Sequence, residues 1–328
     1  MDLPLDAHLT LGIEALHRPP PPGTKVWTPR IADLRANVER IDRCGYDTVW
    51  AGDHLALHVP MLDPMTMLAQ AAGMSSRLTF GVGVYLVPLR HPAAIARQVS
   101  TLDLLTEGRL IFGVGVGGEF PKEYELAGVP LNERGARLGE GIQVLRKLWT
   151  GEPVSHEGRF WRFADVAQIP PPRQPGGPPI WSAGRADAAL RRIGRLADGW
   201  HAYVVTPQMY AEGLQKIAAA ADQAKRKIDR FGTGHLIFAC LDETYEKALD
   251  AASTWLSARY NMDFRRATQR YAALGTAQQV AERLVEFYDA GVRHICLAFV
   301  GPYDDFDNQT ERFAAEVMPL LKHLRRAA

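Results

Sequence analysis

Strand-like and helix-like segments alternate eight times along a chain of 328 residues, and this rhythm predicts an α/β fold of the (β/α)8 TIM barrel class rather than a doubly wound sheet. The clearest single unit is Leu78 to Gly118. Its outer segments, LTFGVGVYLVP and RLIFGVGVGG, are apolar, β-branched and rich in glycine, as strands covered on both faces are. Between them Ile95, Val99, Leu102, Leu105 and, more loosely, Leu104 recur at helical spacing, and Gly108 offers a left-handed stop. Strand, crossover helix and strand make one β-α-β unit of a parallel sheet.

Composition sets the bounds. Hydrophobic residues make up 47% of the chain, which allows one large core or two ordinary domains; the uniform strand–helix alternation favours a single barrel domain over 1–328. Lys and Arg (38) nearly balance Asp and Glu (37), so no general electrostatic argument points to nucleic acid or an anionic membrane. Cys44, Cys240 and Cys296 are odd in number and far apart; each reads equally as a small hydrophobe, and no metal-ligand spacing links them. No basic-then-apolar leader is visible and no apolar run approaches about 18 residues. The expected setting is soluble, reducing and cytoplasmic.

In order, Leu9–Leu16 reads as the first strand, ended by the loop-forming run Pro19–Pro22. A helix over Arg30–Cys44 places Ile31, Leu34, Val38 and Ile41 on one stripe, stopped by Gly45. Tyr46–Ala51 is a second strand, and Asp63-Pro64 starts the next helix. After the central unit a helix runs through Leu138, Ile142, Leu145 and Trp149. Gly151–Pro179 breaks the rhythm, with a hairpin around Glu157-Gly158; this insertion reads equally as a partial cover of a site or a surface excursion. Pro179–Gly184 resumes the alternation, followed by a helix to Leu196, a strand over Gly199–Val205, a long helix over Pro207–Arg230, and a seventh strand, His235–Leu241. A helix over Glu243–Tyr260 precedes a polar stretch, Asn261–Leu274, of no clear pattern. Thr276 caps a helix carrying Val280, Leu284 and Phe287, His294–Val300 is the eighth strand, and a helix over Gln309–Arg325 closes the chain.

Barrel chemistry gathers where strands end. Asp53 and His54 follow the second strand, and an imidazole there can donate or accept a proton near neutral pH; a histidine bonded to a backbone carbonyl is the competing reading. His91, before Pro92, is explained as a loop-positioning residue. The run GVGVGG lies within and at the end of a strand, so it lacks the strand–turn–helix register of a dinucleotide fingerprint; its glycines suit close approach of a ligand ring or steric relief at the rim. Ser182, Ala183, Gly184 and Arg185 open a helix whose free amides suit a phosphate, with Arg185 in reach to reinforce them. Tyr85, Trp181, Trp200 and Phe299 near strand ends fit an apolar wall or plain core filling.

From about Leu9 to Leu320 the chain resembles the bacterial luciferase-like superfamily. The resemblance rests on TVWAGDH, GVGVYLVPLRHP, TLDLLTEGRLIFGVGVGG, ERGARLGEGIQVLRKLWTGEP, ADGW and the late GTAQQVAERL with its following GV. It implies an α/β barrel with an insertion and a flavin-dependent monooxygenase or a deazaflavin (coenzyme F420)-dependent oxidoreductase. By position, His54 matches the histidine beside the ring and Asp53 the acid before it. Gly83-Val84 matches a non-proline cis peptide whose bulge backs the ring, and Ala183-Gly184 matches the phosphate turn. Glu119 lies one residue beyond the acid of deazaflavin-dependent sugar-phosphate dehydrogenases. Gly115 and Val116 replace the cysteine and phosphate-contacting arginine of the luciferase light-emitting subunit, which argues against light emission.

The wording around Asp53-His54-Leu55, LRHP and LLTEGRL is more similar to the deazaflavin branch. F420 is therefore the expected cofactor, exchanging a hydride at C5 with a small organic substrate, with His54 and Glu119 as proton-handling candidates. FMN with oxygen is the alternative, and a binding protein that has lost turnover is a third. A separate enzyme that reduces or reoxidises the cofactor, and a homodimer, are the expected partners.

Overall fold

The computed structural model describes residues 3–14 and 28–325. In chain order the strands are β1 (Thr10–Glu14), β2 (Thr48–Ala51), β3 (Thr79–Leu86), β4 (Leu110–Gly115), β5 (Val154–Glu157), β6 (Arg162–Val166), β7 (Ile180–Ala183), β8 (Gly199–Tyr203), β9 (Gly232–Leu241), β10 (Ala273–Gly275) and β11 (His294–Phe299). Eight of them run parallel in the order β9-β11-β1-β2-β3-β4-β7-β8, and β8 pairs back to β9 to close the barrel. β10 joins the far side of β9, in parallel. The expected eight-stranded barrel is what the chain forms.

Side-chain alternation along each strand sorts residues between two cores. Val49, Phe80, Val82, Phe112 and Val114 point outward and pack under the helices, with Ile95, Val99, Leu138, Ile142 and Leu145 among their neighbours in one buried cluster. The interior is filled by a few large rings. Trp50 and Trp181 approach to 5.7 Å, and His201 stacks on Trp50 at 4.7 Å. Trp50 donates its indole N–H to Thr48 Oγ1 (2.8 Å) and His294 Nε2 (2.9 Å). Such rings fit only because the facing strands carry glycine. A Cβ added at Gly81 would lie 2.3 Å from Trp50, and one at Gly232 would lie 2.2 Å from Trp181.

Several sequence expectations need correction. The buried face of the helix Ile31–Arg43 begins at Asn37, so Ile31, in the first turn, is 53% exposed. Leu105 ends the helix Pro92–Leu105 where the chain turns away, and is 54% exposed. The long helix stops at Gln223, because Lys225 takes a left-handed φ of 53°. The closing helix is broken into α (Phe306–Arg312), π (Phe313–Val317) and 3-10 (Met318–Leu321) pieces, since Pro319 removes an amide from the ladder. The patternless stretch holds a short helix, Arg265–Tyr271, and β10. The end of the first expected strand and the run Pro19–Pro22 lie outside the described residues.

Three of the four aromatics near strand ends point away from the interior, and all four fill core. Trp200 stacks on Tyr210 at 4.5 Å, Tyr85 packs on Phe112 at 5.6 Å, and Phe299 lies against Phe306 and Phe313; Trp181 fills the interior. The insertion forms the expected antiparallel hairpin of β5 and β6, outside the barrel sheet. Glu140 anchors it by accepting backbone N–H bonds from Arg159, Phe160 and Trp161. Gly232→Ala is expected to destabilise the chain by about 1–3 kcal/mol through overpacking. Gly73→Ala, where only the Gln70 carbonyl lies near, at 4.0 Å, should stay within about 0.5 kcal/mol; urea unfolding of both variants checks this.

Candidate active site at the barrel mouth

The C-terminal ends of the strands meet at a mouth whose floor is made small. Gly52 follows β2, Gly83 lies in β3, Gly115 ends β4 and Ala183 ends β7. The peptide between Gly83 and Val84 is cis, as the motif match led us to expect. Past it, the Val84 side chain lies over Gly113 and Gly115; a Cβ at Gly115 would come within 2.4 Å of it. The pairing of β3 with β4 shifts register between Val82 and Tyr85 around this bulge.

Asp53 holds the bulge from behind rather than facing the mouth. Its buried carboxylate accepts two bonds from Arg90 (2.6 and 2.8 Å) and one from the Leu86 amide (2.9 Å). Arg90 in turn lies 4.3 Å over the Tyr85 ring. The next residue turns the other way. His54 Nδ1 is 2.9 Å from Glu123 Oε2, and the second Glu123 oxygen accepts the amides of Leu55 (2.6 Å) and Ala56 (3.2 Å). That carboxylate is 1% exposed, whereas His54 is 23% exposed. Accepting the Nδ1 proton leaves Nε2 as the free ring nitrogen. Phe120 meets the imidazole edge-on at 5.5 Å.

Glu123 belongs to a short helix, Pro121–Leu126, and the residue reading missed it. Nothing in its spacing flags it, since it lies 69 positions from its partner. Glu119 sits exposed on the loop just before this helix; it is Glu123 that bonds His54. His91 caps the helix Pro92–Leu105 by accepting the Ala93 amide at 3.2 Å, as its position suggested.

Glu14 was also missed. It ends β1 on the same face as Gly12, so strand alternation aims it inward; an acid inside LTLGIEAL was the available signal. Its oxygens lie 3.1 Å from where Cβ atoms of Gly52 and Gly83 would be, and the Cys296 thiol donates to Oε2 at 3.8 Å. Desolvation pushes the carboxyl up to about 8, with Arg259 opposing, so Glu14 is a neutral acid at pH 7. Across the mouth Tyr203 meets Phe238 edge-on at 5.7 Å and its hydroxyl bonds that of Tyr260 at 3.0 Å.

At the opposite side, Gly184 has φ of +119°, and a Cβ there would strike Ala189 at 2.6 Å. The Trp200 indole donates to the Gly184 carbonyl at 2.9 Å. The helix that follows, Asp187–Leu196, has no side-chain cap, which leaves its first amides to an anion. Arg185 reaches the Val204 carbonyl at 3.2 Å. Small residues at the strand ends, an imidazole on one side and this turn on the other are the features that a planar ring with a phosphate tail would need. A groove of about 690 Å³ on the outer wall, lined by Arg191, Arg192 and Glu140, contains none of these residues.

The raised Glu14 pKa makes a pH prediction. The folded state keeps a proton that the unfolded chain releases, so this term is present below about pH 4.5 and is lost as pH rises through about 8. The buried histidines His201, His235 and His294, held near 4, 3 and 3 by burial, tilt stability the other way up to about 6.5. Relative to wild type, Glu14→Gln should therefore gain stability steadily from pH 5 to 8, by at most about 1.4 kcal/mol per pH unit. Urea midpoints of both proteins across that range check it, and a parallel pH dependence would reject it.

Comparison with known proteins agrees with this architecture. An F420-dependent glucose-6-phosphate dehydrogenase of Amycolatopsis mediterranei is 28% identical over 89% of this chain and 95% of its own length. A phthiodiolone/phenolphthiodiolone dimycocerosates ketoreductase of Mycobacterium tuberculosis is 34% identical over 60% of this chain and 58% of its own. Among solved structures, an F420-dependent secondary alcohol dehydrogenase in complex with an F420-acetone adduct superposes with a TM-score of 0.81 at 19% identity, covering 95% of this chain and 98% of that one; at that identity the likeness speaks for the fold. The profile of the family described as luciferase-like monooxygenase matches residues 10–294, and the chain belongs to that family.

Proposed function

We propose that this chain is an F420-dependent oxidoreductase that moves a hydride between the deazaflavin ring and a small organic substrate. The observation that carries this reading is 28% identity over 89% of the chain to an enzyme named as F420-dependent. The geometry supports it through small residues at the strand ends, an uncapped helix start after Gly184 and a histidine oriented by Glu123. When bound, the deazaflavin supplies a C5 carbon that gives or takes the hydride.

The chain's own residues divide the remaining work. Gly83 and Val84 back the ring, and Asp53 holds that bulge through Arg90 and the Leu86 amide. Ala183, Gly184 and the amides after them bind the phosphate, with Arg185 at the turn's edge. His54 presents Nε2 toward the substrate side and handles the proton that accompanies reduction or oxidation of a polarised bond. Glu123 fixes the tautomer and stabilises the imidazolium when it forms. Glu119, on the open loop, is the solvent-side proton donor or acceptor. We read residues 1–328 as one barrel domain with its insertion at about 151–179. The enzyme works in the cytoplasm as a homodimer, alongside a separate enzyme that recycles the cofactor; among the described residues no helix is long and apolar enough to cross a membrane.

The family description favours a second reading, in which reduced FMN and oxygen replace F420. Side-by-side titration with F420 and FMN separates them: F420 binding is expected, and FMN binding without F420 binding would overturn the proposal. His54→Asn keeps a hydrogen-bonding side chain but cannot transfer a proton near neutral pH. Single-turnover reduction should fall about 100-fold or more with cofactor affinity nearly unchanged. An unchanged rate at saturating cofactor would remove His54 from the chemistry.

A further inference from the structure

The groove on the outer wall carries positive charge that its own acids do not answer. One side is the helix Arg134–Leu148, where Gly135 and Gly139 present no side chain; the other is the helix Asp187–Leu196 with Arg191, Arg192 and Arg195. Arg192 lies along the glycine face. A Cβ at Gly135 would stand 3.5 Å from its Nη1, and one at Gly139 would stand 3.9 Å from its Cδ. Its Nε is closed off from solvent and has no hydrogen-bond partner among the described residues. Burial pulls the guanidinium pKa down, and no carboxylate opposes that shift. A desolvated cation without a counter-charge is costly, so packing alone does not account for it.

The acids of the groove are already engaged. Glu140 accepts the amides of the hairpin and lies 3.3 Å from His156 Nε2, and Glu157 pairs with Arg162 at 2.9 Å. Asp187, the acid one helical turn before Arg191, bonds Lys216 at 2.8 Å. Arg191 and Arg195 stand four positions apart on one helix face, where like charges repel. We propose that this groove is a second anion-binding site, apart from the mouth, for a small polyanion bearing phosphoryl or carboxylate groups. Three guanidiniums beside engaged acids call for a di- or trianion, and the planar fork of arginine takes either oxyanion two oxygens at a time. The volume of about 690 Å³ is that of a small-molecule pocket rather than of a single inorganic ion. Ala188 lines the groove whereas Ala189 lies against the Gly184 turn, so the two sites use different faces of one helix. Nothing in this reading depends on which cofactor the mouth takes.

The test is titration calorimetry of the full-length protein at constant ionic strength, with no cofactor added. Inorganic pyrophosphate or citrate should bind saturably, and the tighter of the two gives the chemical class. Arg192→Gln should weaken that binding about 10-fold or more, as expected for a lost charge-assisted contact. Arg192→Lys keeps the charge without the fork and should fall between. Arg195→Gln, at an exposed position that tolerates substitution, should weaken binding about 3-fold. Arg266→Gln removes the same charge from an exposed position on the helix Arg265–Tyr271 and should change nothing. Unchanged affinity in both Arg192→Gln and Arg195→Gln would put the anion elsewhere, the Gly184 turn included, and overturns the proposal. Equal losses in Arg192→Gln and Arg266→Gln would reduce the attraction to net charge and also overturn it. So would the lack of saturable binding below about 10 mM of either probe. A wild-type dimer that Arg192→Gln dissociates would make the groove an interface between copies, which overturns it as well.

Discussion

The ion pair of Asp53 and Arg90 is the contact on which the mouth depends. It ties the end of β2 to the segment after β3 and, through the Leu86 amide, fixes the far side of the bulge. Both carboxylate oxygens are engaged, and the side chain is fully buried. A buried charge without its partner costs several kcal/mol, so this pair tolerates no half-measure. Asp53 is also the backbone neighbour of His54. One fully satisfied acid therefore sets two things at once, the position of the bulge that follows the cis peptide and the place where the imidazole begins.

The barrel interior obeys a second constraint, that of volume. Two indoles and two imidazoles share a space that strands bearing larger side chains would close. The polar atoms of two of these rings are answered locally, Trp50 by Thr48 and His294, and His294 by Thr10 at 2.8 Å, whereas the His201 nitrogens have no partner among the described residues. Burial keeps the histidines neutral, so the interior carries little charge. Glu14, at the boundary between this interior and the mouth, is kept neutral for the same reason.

Much of the frame was legible in the sequence because period and punctuation are local. The apolar strands around the helix Pro92–Leu105, the Asp63-Pro64 start and the Thr276 cap all appear where their residue types place them; the Thr276 cap is a full capping box with Gln279. A strand end also drew attention to Asp53 and His54, and a helix start to the turn at Gly184. What escaped was non-local. The partner of His54 arrives from a helix too short to show a period, and the inward aim of Glu14 depends on barrel closure. Trp181 and Trp200 differ by strand parity alone, so proximity to a strand end could not say that one lies inside the barrel and the other outside. The overlong helices failed where one residue, Lys225 or Pro319, overrode a favourable pattern.

The helix Pro121–Leu126 and the loop before it carry Glu119, Phe120 and Glu123 within five consecutive positions. One of these is an exposed acid, one an aromatic neighbour of the imidazole, and one the carboxylate that orients it. Exchanging this segment between relatives would change the imidazole's partner, its apolar neighbour and the exposed acid in one step, together with Tyr124, which packs on Leu86 of β3 and on Leu89. Engineering of the reaction should graft 116–127 whole, because a single substitution within it alters one member of a set that works only together.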